Sequence, residues 1–289
     1  MGKSLVARIK EEFNRQIPEE YYGLIELGLG NPEETDALKK NSLFYAIEEP
    51  HAFFLQQWIE KNARIGLGAL GLSRINTDED NLTEFGILFK TIVKSKDFID
   101  MGCGDPCPQN PAPIYALRFG AKRYIGADIG LTPEQVERYS KREGKFEQVY
   151  VNDEMLRFLA SIPSPDRNEG GIILFFSAIE SSFDFQNYLK LSQKKKPTHF
   201  ELEILGEQKQ RGEYHQALYR EIERITTTGD AVVFGRRTGN LFPDYLLSKG
   251  FTKIDSSSTC DFYIKRWFIR HLPILARKQI ETNNRSTLN

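Results

Sequence analysis

Asp100-Met101-Gly102-Cys103-Gly104-Asp105-Pro106 follows a short apolar run. Glycines at these positions let the backbone turn sharply and come close to a ligand, because no Cβ intervenes. Further along, Asp128 closes a second apolar run. A carboxylate so placed accepts hydrogen bonds from the 2′- and 3′-hydroxyls of a ribose, and charge-assisted bonds are the stronger class. Asn152-Asp153 closes a third run and offers a side-chain acceptor to the exocyclic amine of an adenine. Ser177-Ala178-Ile179-Glu180 closes a fourth, beside the place where a reacting group would sit. Glu180 is the candidate for orienting or deprotonating an acceptor. Its plainer reading is a helix N-cap, with Ser181 and Ser182 close by. An Asp at a strand end can also be a simple turn former. Asp100 and Asp128 at neighbouring strand ends, with Gly102 and Gly104 between them, favour a shared ligand.

These residues need strands that end together. From residue 97 the sequence alternates strand and helix patterns. Strands are expected at 98–102, 123–129, 147–152, 171–177 and 230–235. Helices are expected at 111–120, 132–142, 153–162, 213–226 and 242–250. Thr132 reads as an N-cap with Pro133 at the first helical position, and the third helix reads as capped near Asn152 or Asp153. The run 171–177 is almost wholly apolar, as a parallel strand covered on both faces must be. Residues 251–258 and 261–269 read as a hairpin. The expected fold is therefore α/β: a doubly wound, mostly parallel seven-stranded sheet with a C-terminal antiparallel hairpin and an N-terminal helical extension. In such a sheet the ligand sits at the carboxyl ends of the strands, near the switch point.

Residues 1–95 read as a helical cap or lid, with amphipathic helices in 43–62 and 83–95. The α/β domain is expected over 96–270, with an insertion at 183–211 and a polar tail at 271–289. The chain has 289 residues, 39 Lys+Arg against 40 Asp+Glu, and 40% hydrophobic residues. That balance suits a globular protein and gives no overall positive field to draw nucleic acid. With 3 Cys the chain cannot be a disulfide framework, so a reducing cytoplasm is the expected setting. The longest apolar run, 172–179, is too short to cross a bilayer.

In the order and content of these motifs the chain resembles the class I, Rossmann-like S-adenosylmethionine-dependent methyltransferases, over roughly residues 83–269. FIDMGCGD resembles that family's first motif, YIGADIG the second, VND the adenine-binding third, and IILFFSAIE the fourth strand with its loop. The resemblance implies S-adenosylmethionine as cofactor. It implies contacts from Asp100, Gly102, Cys103, Gly104 and Asp105 in the first motif. Asp128, Ile129, Asn152, Asp153 and Ser177 would complete the site, with Glu180 at the acceptor. The reaction implied is direct displacement at the sulfonium methyl. Two departures stand out. Pro106 replaces a frequent third glycine and removes one backbone donor. The fourth-strand loop lacks an Asn/Asp-Pro-Pro-aromatic motif, against the amino methyltransferases of adenine and cytosine.

No residue pattern identifies the acceptor. Near-neutral charge tilts the expectation toward a small molecule or a protein, with nucleic acid less favoured and no membrane partner. Two other readings are a scaffold protein that has lost the transfer and, third, an NAD-dependent oxidoreductase. Gly66-Leu67-Gly68-Ala69-Leu70-Gly71 matches a dinucleotide fingerprint literally, but no strand precedes it. Cys103, Cys107 and Cys260, and the scattered His51, His199, His215 and His271, make no metal-binding pattern. The basic run Lys194–Lys196 reads as a solvated face.

Overall fold

The computed structural model describes residues 3–29, 90–104, 106, 112–165, 171–176, 194, 198–235, 243–256 and 260–265. Helix α1 (Leu5–Glu12) starts at Ser4, whose hydroxyl accepts from the Ala7 amide at 3.2 Å. A 3-10 turn at Glu19–Tyr21 leads into α2 (Tyr22–Leu29). The alternation then runs β1 (Asp97–Met101), α3 (Ala112–Arg118), β2 (Arg123–Ala127), α4 (Pro133–Tyr139), β3 (Lys141–Glu143) and β4 (Phe146–Val151). It continues with α5 (Met155–Ser161), β5 (Ile172–Phe176), α6 (His199–Ile225), β6 (Ala231–Gly235), α7 (Pro243–Ser248), β7 (Phe251–Ser256) and β8 (Cys260–Lys265).

The strands form one sheet in the order β3-β4-β2-β1-β5-β6-β8-β7. Strands β4, β2, β1, β5 and β6 are parallel. Strand β8 lies antiparallel between β6 and β7, so the expected hairpin inserts its second arm into the sheet. Every residue of β1, β2 and β5 is buried. Alternation sends Phe98, Tyr124, Tyr150 and Phe175 to one face, under Tyr115, Ala116 and Phe119. It sends Ile99, Ile125, Val149, Leu174 and Phe176 to the other, under α5 and α6. Each such side chain, fully buried, contributes roughly 1.5–3 kcal/mol.

The sheet has eight strands, not the seven expected. The added strand is β3, over residues assigned in part to the helix after Thr132. That helix is capped as expected: the Thr132 hydroxyl accepts from the Gln135 amide at 3.2 Å, and Gln135 Oε1 accepts from the Thr132 amide at 2.8 Å. It stops at Tyr139 because Lys141–Glu143 turn back through Gly144-Lys145 and pair with β4. Gly144 has φ 60°, the left-handed geometry that a two-residue hairpin turn requires. All three β3 residues are exposed and charged, which guards this edge against pairing with another chain.

Helix α6 is also longer than expected. It begins at His199, so residues 199–211 of the supposed insertion are helical. Among its described residues, Leu202, Gly206, Lys209 and Gln210 are exposed, whereas His215, Ala217, Leu218, Tyr219, Glu221 and Ile222 are buried. Residues 183–193, the helix expected at 43–62, most of that at 83–95, the glycine motif at 66–71 and the tail at 271–289 lie outside the described residues.

Residues 3–29 dock on the core through three buried side chains. Ile9, Tyr21 and Ile25 are buried in the cluster on the α5/α6 face. Arg123, the first residue of β2, donates to Glu12 at 2.7 Å and to Asp97 at 2.6 Å. Tyr21 donates its hydroxyl to Glu221 at 3.0 Å. At the far end of α2, a Cβ on Gly28 would stand 2.6 Å from Glu154 Oε1. This segment therefore runs from the amino ends of the strands to the loop that follows β4.

Candidate functional site

Strands β1, β2 and β4 end side by side, and their following loops are tied together. The amides of Gly102 and Cys103 donate to the Ala127 carbonyl at 2.8 and 3.4 Å. The Gly104 amide donates to Asp128 Oδ2 at 2.9 Å. The Asp128 amide donates to the Val151 carbonyl at 3.2 Å. Gly102 and Gly104 have φ values of 72° and 65°, conformations that side chains with a Cβ adopt only under strain. The two glycines the sequence singles out are thus needed to fold the loop back onto β2.

Asp128 is half-buried, and its Oδ1 accepts from the Gly130 amide at 2.7 Å. A carboxylate has about four acceptor sites, so two loop amides leave it able to accept two hydroxyls. Ile129 beside it is half-buried. Asn152 is exposed and donates through Nδ2 to the Leu131 carbonyl. Asp153 accepts from the Glu154 amide at 2.8 Å and from the Arg157 guanidinium. These groups suit a nucleoside: a carboxylate for the ribose, an amide side chain for the base, and glycines without Cβ where a ligand would approach.

Asp100 and Cys103 lie beneath this surface. Asp100 is 2% exposed, and its Oδ2 accepts from the Tyr124 hydroxyl at 2.8 Å. Cys103 is buried, its Sγ near Gly126. Pro106 is buried as well. Asp105, Ser177 and Glu180 lie outside the described residues. The structure thus gathers Gly102, Gly104, Asp128, Ile129, Asn152 and Asp153 at one edge and sets Asp100 and Cys103 below them.

The cap of α5 is neither Asn152 nor Asp153. Glu154 holds that place, accepting from the amides of Leu156 at 3.0 Å and Arg157 at 2.9 Å. It is 1% exposed and also accepts from the Tyr214 hydroxyl. Burial pushes its carboxyl above the usual range, against the pull of these bonds. With three carboxylate or amide residues in a row, the sequence did not say which one would reach the free amides. Tyr124 and Tyr214 also escape a motif reading, because a tyrosine in an apolar run looks like core. A buried hydroxyl that must find a partner is the signal they carry.

Among the described residues no group of three or more His, Cys, Asp or Glu is placed to hold a metal ion, and no helix is long and apolar enough to cross a membrane.

No family model and no curated protein sequence matches the chain. Similar solved structures include the N-methyltransferase NodS from Bradyrhizobium japonicum WM9, at 10% identity over 64% of this chain and 94% of that one, TM-score 0.36. The same enzyme with S-adenosyl-L-homocysteine is similar at 12% identity over 73% and 98%, TM-score 0.32. A TehB-like S-adenosylmethionine-dependent methyltransferase from Corynebacterium glutamicum is similar at 12% identity over 74% and 98%, TM-score 0.33.

Proposed function

We propose that this protein is an S-adenosylmethionine-dependent methyltransferase acting on a small molecule or a protein. The observation that carries the reading is the stitched edge: Gly102, Gly104 and Asp128 held together at adjacent strand ends, with Asn152 open beside them. When bound, the cofactor supplies a sulfonium methyl already activated for displacement. The chain's own work is then to hold and align. Asp128 would accept the ribose hydroxyls with its remaining lone pairs, and Asn152 would meet the base. Asp100 and Cys103 would support the loop from below. Ser177 is proposed for the cofactor and Glu180 for the acceptor side, taking the acceptor proton where the nucleophile is an oxygen. Alignment of this kind is worth up to about 7–11 kcal/mol of barrier in favourable cases.

A second reading is a scaffold protein. Pro106 favours it, because that buried residue offers no N–H to a ligand, and the Gly104 amide is already engaged by Asp128. Calorimetric titration with S-adenosylmethionine and S-adenosylhomocysteine, with NAD as control, separates the two. Micromolar binding of the first two is expected. Absence of binding in folded, ligand-free protein would transfer the lead to the scaffold reading.

A further inference from the structure

We infer that Tyr124 is a positioning residue of the cofactor site, acting through Asp100. The inference rests on the methyltransferase reading above. Asp100 sits on β1 directly opposite Gly126 of β2 and Phe175 of β5. Two residues on, the chain leaves the strand at Gly102, so the Asp100 carboxylate lies under the glycine loop. Its Oδ2 accepts from Tyr124 at 2.8 Å in a fully buried bond. The Tyr124 ring leaves its hydroxyl little room to move. It stacks on Phe98 at 6.0 Å and meets Tyr150 edge-on at 5.8 Å. The space over Gly126 is filled as well. A Cβ there would stand 2.9 Å from both Cys103 Sγ and the Tyr150 ring.

Phenylalanine would supply the same packing at position 124, and the chain uses 20 Phe against 12 Tyr. The hydroxyl is therefore what distinguishes the residue, and its acceptor is the first-motif carboxylate. Burial and the neighbouring Asp100 hold the Tyr124 phenol well above its ordinary pKa, so it remains a donor across the working pH range. Asp100 is then held as the acceptor in one orientation, and the end of β1 with it. Tyr150 from β4 and Cys103 from the loop also act on the Tyr124 phenol, and β5 places Phe175 opposite Asp100. The Tyr150 hydroxyl accepts from Gln148 Nε2 at 3.3 Å.

The test is calorimetric binding of S-adenosylhomocysteine to wild type, Tyr124→Phe, Asp100→Asn, the double variant and Tyr150→Phe, with thermal melts alongside. Tyr124→Phe should weaken binding roughly five- to tenfold, the scale of one ordinary hydrogen bond. Tyr150→Phe, drawn from the same aromatic cluster, should bind as wild type does. The double variant should be no weaker than Asp100→Asn alone, since Tyr124 works through that carboxylate. A purely structural role would lower the melting temperature of Tyr124→Phe and give losses that multiply in the double variant. Unchanged affinity in Tyr124→Phe, or losses that multiply in the double variant, would overturn the inference. Wild type that fails to bind would instead overturn the cofactor reading, and this one with it.

Discussion

The Gly104 amide donates to the carboxylate of Asp128 at 2.9 Å, joining the loop after β1 to the loop after β2. Asp128 is therefore both a ligand candidate and the anchor of the glycine loop. Replacing it should be felt twice. Asp128→Ala removes the ribose acceptor and frees Gly104, and affinity for S-adenosylhomocysteine should fall more than tenfold. Asp128→Asn keeps an oxygen for the Gly104 amide and should lose less. Titration of both variants decides the matter. Wild-type affinity in the alanine variant would remove the adenosine from this edge.

His215 sits 5% exposed on α6, and burial, with Arg211 nearby, depresses its pKa from 6.5 to about 4. The unfolded chain takes up this proton before the folded one does. Stability should therefore fall as pH drops from about 6.5 toward about 4, by on the order of 3 kcal/mol. Glu12 acts in the same direction at lower pH: its bonds to Arg123 lower its carboxyl below 4.5, so its contribution is lost on further acidification. Glu154 has the opposite sign, since its raised carboxyl favours the folded state at acid pH and less so as pH rises. Urea midpoints across this range should show the descending limb, and His215→Gln should flatten it. A limb unchanged in that variant would assign it to carboxylates.

Arg123 is 5% exposed and bridges Glu12 on α1 to Asp97 on β1. Asp97 Oδ1 and Arg123 Nε are buried with no hydrogen-bond partner, so the cluster is already imperfectly satisfied. Arg123→Met would leave the Asp97 carboxylate buried without its cation, at an expected cost of about 3–5 kcal/mol. Adding Asp97→Leu should recover much of that loss, because the stranded charge goes with it. Denaturant unfolding of the single and double variants measures the difference. Equal stability of the two would show that Asp97 does not depend on Arg123.

Much of this arrangement was legible from residue types. The apolar runs gave the parallel strands, and Thr132-Pro133 gave the start of α4. Gly102, Gly104 and Asp128 were legible because strained turns and strand-end carboxylates have few substitutes. Strand β3 was not, since Lys141, Arg142 and Glu143 carry no apolar alternation and only the Gly144-Lys145 turn betrays them. The early half of α6 was hidden as well, because Gly206 and the polar run 207–211 read as loop. Glu154 was missed because capping depends on where a helix starts, and three neighbouring polar residues compete for the place. The depth of Asp100 could not be read either, because a strand-end position does not say whether a carboxylate faces the ligand or the core.

The packing of the N-terminus has a consequence for how the chain is made. Tyr21 and Arg15 find their acceptor on Glu221, 200 and 206 residues further along. Helices α1 and α2 thus leave the ribosome well before α6, which completes their docking surface. Contacts of such sequence separation form late and slow a folding reaction. Until α6 has emerged, the apolar faces at Ile9 and Ile25 are open to other partners, chaperones among them.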